Sequence, residues 1–145
     1  MSSTLTEDEI RSLLDHATTI AVVGASTDPG KAANRIPALL IEAGFTVIPV
    51  HPTAAEILGR RAFPSLADVP VPVEIVDVFR PAGEAPDIAR QAAEIGAGAL
   101  WLQLGLSSPD TRRIAEQAGM AYVENRCIGA TTRQFGIGKE RTASR

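Results

Sequence analysis

The chain is 145 residues long, 45% hydrophobic and 21% charged, with a net charge of −3, the balance of a folded chain with a buried core; one domain over 1–145 is expected. The acidic balance and scattered bases exclude a nucleic-acid footprint, and no apolar run is long enough to cross a bilayer. Cys127 is the single cysteine, which excludes an internal disulfide framework and a multi-cysteine metal site; with no basic-then-apolar leader, a cytoplasmic location is expected.

Thr6 and Glu9 form a capping box ahead of Ile10, Leu13, Leu14 and Ala17 at helical spacing, with Leu5 and Ile10 as its hydrophobic staple. A helix to about His16 is predicted, and His16 suits the negative end of its dipole. The run Ile20-Ala21-Val22-Val23 shows no polar alternation and reads as a buried strand. Gly24 ends it, and a loop of turn formers follows as far as Gly30. Ile36, Leu39, Leu40 and Ala43 then recur at helical spacing. Pro37 sits without loss only in a first turn, so this helix is expected to start near Ala33 or Asn34, or else to kink. Gly44 closes it, and residues 45–50 form the second strand, where Pro49 argues for an edge position or a strand end.

Residues 51–72 show no long periodic helix, only a short extended piece at Ile57-Leu58-Gly59 and one capped turn at Ser65-Leu66-Ala67-Asp68. Residues 73–79 are the third strand, broken by Arg80-Pro81. A helix over about 85–95 tolerates Pro86 in its first turn and stops at Gly96. Residues 99–102 are the fourth strand, with Trp101 in the core and Gln103 at the carboxyl end. Ser108-Pro109-Asp110 opens a helix that ends at Gly119, and residues 120–124 are the fifth strand. The polar, basic tail over 136–145 is expected to fray.

Three helices end at Gly44, Gly96 and Gly119, each leading straight into an apolar strand. That alternation predicts an α/β fold, a doubly wound parallel sheet of five strands with helices on both faces, plus the N-terminal helix. The expected strand order is 3-2-1-4-5. Ligands of such sheets bind at the carboxyl ends, beside strand 1. Residues 24–30, His51-Pro52, Phe79-Arg80, Gln103-Leu104-Gly105 and Asn125-Arg126-Cys127 are placed there.

The stretch TIAVVGASTDPGKAANR, residues 19–35, carries the strongest signal. A strand, a small-residue loop and a helix start bring free N–H groups and the positive end of a dipole to one point, with Lys31 and Arg35 beside it. It is an anion site or a tight turn with solvated bases. The loop is not G-x-G-x-x-G, because Ser26 stands where a second glycine would admit a pyrophosphate most closely. An NAD site also wants an acid at the end of strand 2, where this chain has Val50-His51-Pro52; Glu56 lies past it. The missing acid weighs more heavily against NAD than the altered loop. NADP stays open through Arg60 and Arg61, a pair that otherwise reads as a solvated face.

The strings IAVVGAS…PGK…R, VIPVHP, EILGRRAFPSLADVP, VDVFRP, ALWLQLG and NRC together resemble the CoA-binding protein family. These are small Rossmann-type domains similar to the N-terminal domain of the succinyl-CoA synthetase α subunit, and the resemblance runs from about residue 20 to 127. It implies a single Rossmann-type domain, core about 19–127, that binds coenzyme A or an acyl-CoA as its small-molecule ligand. By resemblance Gly24, Ala25 and Ser26 approach the pyrophosphate in a loop that includes Gly30, with Lys31 and Arg35 close to phosphate groups. Val50, His51 and Pro52 line the nucleotide side, Phe79 and Arg80 flank the ligand, and Gln103 faces it. The chain departs from the family at Ala33-Asn34, where Ser-Tyr or a similar pair is common, at His51, often Asn, and after Cys127, where proline and an acidic stretch usually follow.

No catalytic set is named from the residues. The phosphorylated histidine of the synthetase reaction belongs to a second domain, and neither His16 nor His51 stands in a matching context. His51 reads as a general base or, preferably, as a group that shapes the pocket or bonds a phosphate. Cys127 has a cation beside it in Arg126 but no base, and reads as structural or redox-active, with a mixed disulfide to the CoA thiol as a further option. Glu74 and Asp77 alternate along one strand and form no acid–base pair. The expectation is a CoA-binding protein rather than an enzyme, with no metal and with any protein partner unidentified. The alternatives are a small NAD(P)-binding oxidoreductase or redox sensor, and an interaction module whose pocket has lost its ligand.

Overall fold

β1 (Thr19–Val23) is the centre of the packing, with Ile20, Ala21 and Val22 fully buried because both faces of the strand are covered. The structure, a computed structural model, describes residues 4–139. β1 lies in a five-stranded parallel sheet with β2 (Thr46–Val50), β5 (Ile75–Val78), β6 (Ala99–Leu102) and β7 (Ala121–Val123), in the spatial order β2-β1-β5-β6-β7. A two-stranded antiparallel hairpin, β3 (Glu56–Ile57) with β4 (Arg60–Arg61), follows β2. One face of the sheet, through Ile20, Val22, Ile75 and Trp101, packs on α1 (Glu7–His16), α2 (Ala32–Glu42) and α5 (Ile128–Gln134). The other, through Ala21, Val76, Val78 and Leu100, packs on α3 (Ala85–Glu94) and α4 (Pro109–Gln117). The doubly wound architecture is the one expected.

The capping box is present in both directions: Glu9 N–H donates to Thr6 Oγ1 at 3.1 Å, and Thr6 N–H donates to Glu9 Oε1 at 2.8 Å. Ser108 caps α4 with Pro109 in its first turn. Trp101 is fully buried, its indole N–H donating to the Arg126 carbonyl at 2.7 Å.

The strand order differs from the expected 3-2-1-4-5. Numbering only the five strands of the main sheet, it is 2-1-3-4-5, because β5 pairs with the side of β1 that β2 leaves open. Pro49 explains why β2 stays outside. Its carbonyl accepts from Phe63 N–H at 3.0 Å, on the side away from β1. In a parallel strand N and O of one residue point the same way, so the missing N–H faces the edge, where no ladder needs it. The switch point therefore lies between β1 and β5, and β6 stands one strand further off.

Three local expectations also change. α2 starts at Ala32, so Pro37 sits in its second turn rather than its first. α5 has no counterpart among the expected elements, because Gly129, Thr131 and Thr132 are weak helix formers. The tail expected to fray over 136–145 is anchored as far as Lys139: Ile137 is buried, and Lys139 donates from its N–H to the Ala43 carbonyl and from Nζ to the Leu14 carbonyl, both at 2.7 Å. Residues 140–145 lie outside the described residues.

Candidate functional site at the β1–β5 switch point

Gly24 ends β1 with φ +92°, and a Cβ there would stand 2.7 Å from the Phe79 carbonyl oxygen and 2.8 Å from Arg80 Cδ. Only glycine lets the end of β5 come this close. The turn beyond it is tied to α2. Ser26 N–H donates to the Ala33 carbonyl at 3.1 Å, and Asn34 Nδ2, on a buried side chain, donates to the Ser26 carbonyl at 2.8 Å. Asp28 N–H donates to Ser26 Oγ at 3.0 Å, and Gly30 N–H to Asp28 Oδ1 at 2.8 Å. These bonds fix the loop but leave some of its donors free. Among the described residues, the backbone N–H groups of Ala25, Thr27, Ala32 and Ala33 have no partner. Two belong to the loop and two to the first turn of α2, the arrangement that receives anions.

Lys31 is the N-cap residue of α2 and is exposed, as is Arg35, whose guanidinium donates to the Gly30 carbonyl. Neither has a carboxylate partner among the described residues. Beside the loop, Val23, Gly24, Val50, Pro52, Arg80 and Glu84 line a cleft of about 330 Å³, walled by Pro64, Ser65, Leu66, Ile88 and Gln91. Its apolar side chains are those of Val23, Val50, Leu66, Ile88 and the two prolines, and its two charged groups pair with each other. Arg80 donates from Nε and Nη2 to the two carboxylate oxygens of Glu84, at 3.0 and 2.7 Å. That hydrogen bonding, with the attraction behind it, raises the Arg80 pKa and lowers that of Glu84.

Of the residues expected here from sequence, Gly24, Val50, Pro52 and Arg80 meet in the cleft, and Ala25, Ser26, Gly30, Lys31 and Arg35 form the adjoining loop and helix start. The Ser26 N–H is already used, so its hydroxyl is what it has left to offer. His51 follows β2 with Nδ1 accepting from Thr53 N–H at 3.1 Å and Ala54 N–H at 2.9 Å. The neutral ring therefore carries its proton on Nε2, a donor and not a base. Phe79 packs against the α1–α2–α5 side of the core. Gln103 is buried at the end of β6, where its Oε1 accepts from Ile128 N–H at 3.0 Å and holds the start of α5; it is not among the residues lining the cleft. Cys127 caps α5, its Sγ accepting from Ala130 N–H at 3.4 Å.

Sequence reasoning missed Asn34, Glu84 and the wall at Pro64-Ser65-Leu66. Only Glu84 had a local signal, lying four residues after Arg80 at the start of a predicted helix.

A larger hollow of about 600 Å³ opens at the opposite edge of the sheet, between α1 and the segments leading into β5 and β6. Its lining includes Leu13, Ala17 and Val73, and its carboxylates are Glu9 and Glu74. Glu74 Oε1 already accepts from Thr18 and Thr19 N–H. No Lys or Arg lines that hollow, whereas Lys31 and Arg35 stand beside the loop at β1. Among the described residues no helix is long and apolar enough to cross a membrane.

The sequence profile of a family described as CoA binding domain matches residues 18–133. The Bacillus subtilis (strain 168) protein YneT is 33% identical over 120 residues, covering 83% of this chain and 89% of YneT. A solved hypothetical protein from Pyrococcus horikoshii OT3 superposes with a TM-score of 0.88 at 34% identity, covering 93% of this chain and 99% of that one. Acetate–CoA ligase [ADP-forming] I of Archaeoglobus fulgidus is 30% identical over 130 residues, which is 81% of this chain but 19% of the ligase.

Proposed function

The chain belongs to the CoA-binding domain family, and on that premise we propose that it binds coenzyme A or an acyl-CoA at the carboxyl edge between β1 and β5. The observation that carries the proposal is the set of unpartnered N–H groups at Ala25, Thr27, Ala32 and Ala33, flanked by Lys31 and Arg35. A pyrophosphate brings oxygens for those donors and negative charge for the α2 dipole and the two bases. The apolar side chains of the cleft beside the loop suit the less polar parts of the ligand.

The role proposed is binding without a reaction. His51 presents an N–H, and the Cys127 sulfur accepts a backbone hydrogen bond with no base among its hydrogen-bonding partners. The relatives named as acetate–CoA ligases extend far beyond the matched segment, so ligation is not carried over to this chain. NAD is disfavoured, since the end of β2 offers no carboxylate for its ribose. Native mass spectrometry of freshly purified protein tests the proposal. An adduct with the mass of CoA or an acyl-CoA is expected, and it should reappear when CoA is added to stripped protein. A nicotinamide-nucleotide adduct, or none after adding CoA, would overturn it.

A further inference from the structure

We propose that Arg61 is a second anchor of the same site, reading a phosphate on the ligand's ribose, and so determines preference for 3′-phosphorylated CoA over dephospho-CoA. This rests on the binding proposed above and adds a specificity to it. Arg11, Arg80, Arg90, Arg112, Arg113 and Arg126 are each within ion-pair distance of a carboxylate. Among the described residues Lys31, Arg35, Arg60 and Arg61 have no such partner, and all four stand on the segments that follow β1 and β2. Arg133 and Lys139, which also lack one, lie on α5 or beyond it.

Within that group Arg35 is tied to the loop through the Gly30 carbonyl, and Arg61 is the residue held at the end of strand 2. Its guanidinium lies over the Phe63 ring, 5.0 Å from the centroid. Phe63 is in turn fastened to the end of β2: it bridges to Val50, its carbonyl accepts from His51 N–H at 2.9 Å, and its N–H donates to the Pro49 carbonyl. Glu56 stands directly opposite Arg61 in the hairpin register, yet the two form no ion pair. Arg60 precedes it by one residue and so projects from the other face of the hairpin. The end of strand 2 is where doubly wound folds read the ribose, with an acid for free hydroxyls and an arginine for a phosphate. Here the acid is missing and the arginine is stacked and unpaired. Coenzyme A carries a phosphate on its ribose 3′ carbon; dephospho-CoA does not.

Calorimetric titration with CoA, dephospho-CoA, NADP and NAD tests the inference in wild type, Arg61→Ala and Arg61→Gln, with circular dichroism confirming the fold. Wild type should bind CoA about tenfold more tightly than dephospho-CoA, the size of one exposed charge-assisted contact. Both variants should bind CoA as weakly as dephospho-CoA, while their affinity for dephospho-CoA stays at the wild-type level. If CoA binds but the variants weaken both ligands equally, or neither, Arg61 does not read the phosphate and only this inference falls. If NADP binds in an Arg61-dependent way and CoA does not, the ribose phosphate belongs to a nicotinamide nucleotide, and the CoA proposal falls with it. Failure of all four ligands to bind wild type overturns both.

Discussion

Ser26 donates its backbone N–H to the carbonyl of Ala33 at 3.1 Å, four residues before Pro37. In an uninterrupted helix that carbonyl would serve residue 37, but proline has no N–H to give it. The proline inside α2 thus frees an acceptor, and the acceptor takes hold of the loop. Asn34 completes the clasp by donating to the Ser26 carbonyl at 2.8 Å. The loop at the end of β1 is consequently tied to α2 by two hydrogen bonds, with other donors left over.

Asn34→Ala should loosen that clasp. It leaves the Ser26 carbonyl without its partner in a part-buried place, at a cost of about 1–3 kcal/mol in urea unfolding. Affinity for CoA should fall as well, since a mobile loop must be ordered on binding. An unchanged unfolding midpoint would mean that the clasp holds nothing.

Lys31 and Arg35 are exposed, so removing either should leave stability within about 0.5 kcal/mol of wild type. Arg35→Ala should weaken CoA about tenfold, the lower end for a charge-assisted contact open to solvent. Added salt should weaken wild type more than the variant. Titration calorimetry at two salt concentrations reads both effects.

Gly24→Ala should act on the fold before it acts on the ligand. The new Cβ would fall 2.7 Å from the Phe79 carbonyl oxygen, at a φ that side chains rarely adopt. A loss of about 1–3 kcal/mol in unfolding free energy is expected. Normal stability combined with lost CoA binding would instead place the ligand in the space beside Gly24.

Asp77 is fully buried in β5, between Val22 and Trp101 in the register, and among the described residues neither carboxylate oxygen has a hydrogen-bond partner. Burial pushes its pKa well above the ordinary carboxyl value of 3.8. The folded state therefore keeps a proton that the unfolded chain loses above that value. Its contribution to stability is fully present below the unfolded pKa and is lost as pH rises toward the folded one, by up to about 1.4 kcal/mol per pH unit. Urea midpoints measured from pH 5 to 9 should decline in wild type relative to Asp77→Asn. Parallel profiles would show that Asp77 does not titrate in this window.

Much of the fold was legible because it is written in short-range chemistry: Thr6 with Glu9, Ser108 with Pro109, and the unbroken apolar run at Ile20. Strand order was not, because it depends on which side of β1 receives β5, and apolar runs alone do not carry that. Pro49 did carry it. Read as an edge marker, it is incompatible with an order that puts its strand between two others. The anion loop was visible from Gly24, Lys31 and Arg35. The clasp was not, because Asn34 works through the tertiary position of Ser26, and the carbonyl freed by Pro37 gains meaning only once the loop lies against it.

Ligand-dependent stability tests the central claim most directly. A ligand that binds only the folded state, present at about one hundred times its dissociation constant, adds roughly 2.7 kcal/mol, which for a chain of this size is a rise on the order of 5–10 °C in Tm. Thermal unfolding with CoA should show that rise, and NAD and NADP at the same concentration should produce little change. A flat response to CoA up to millimolar concentration, or a larger response to NAD or NADP, would contradict the account.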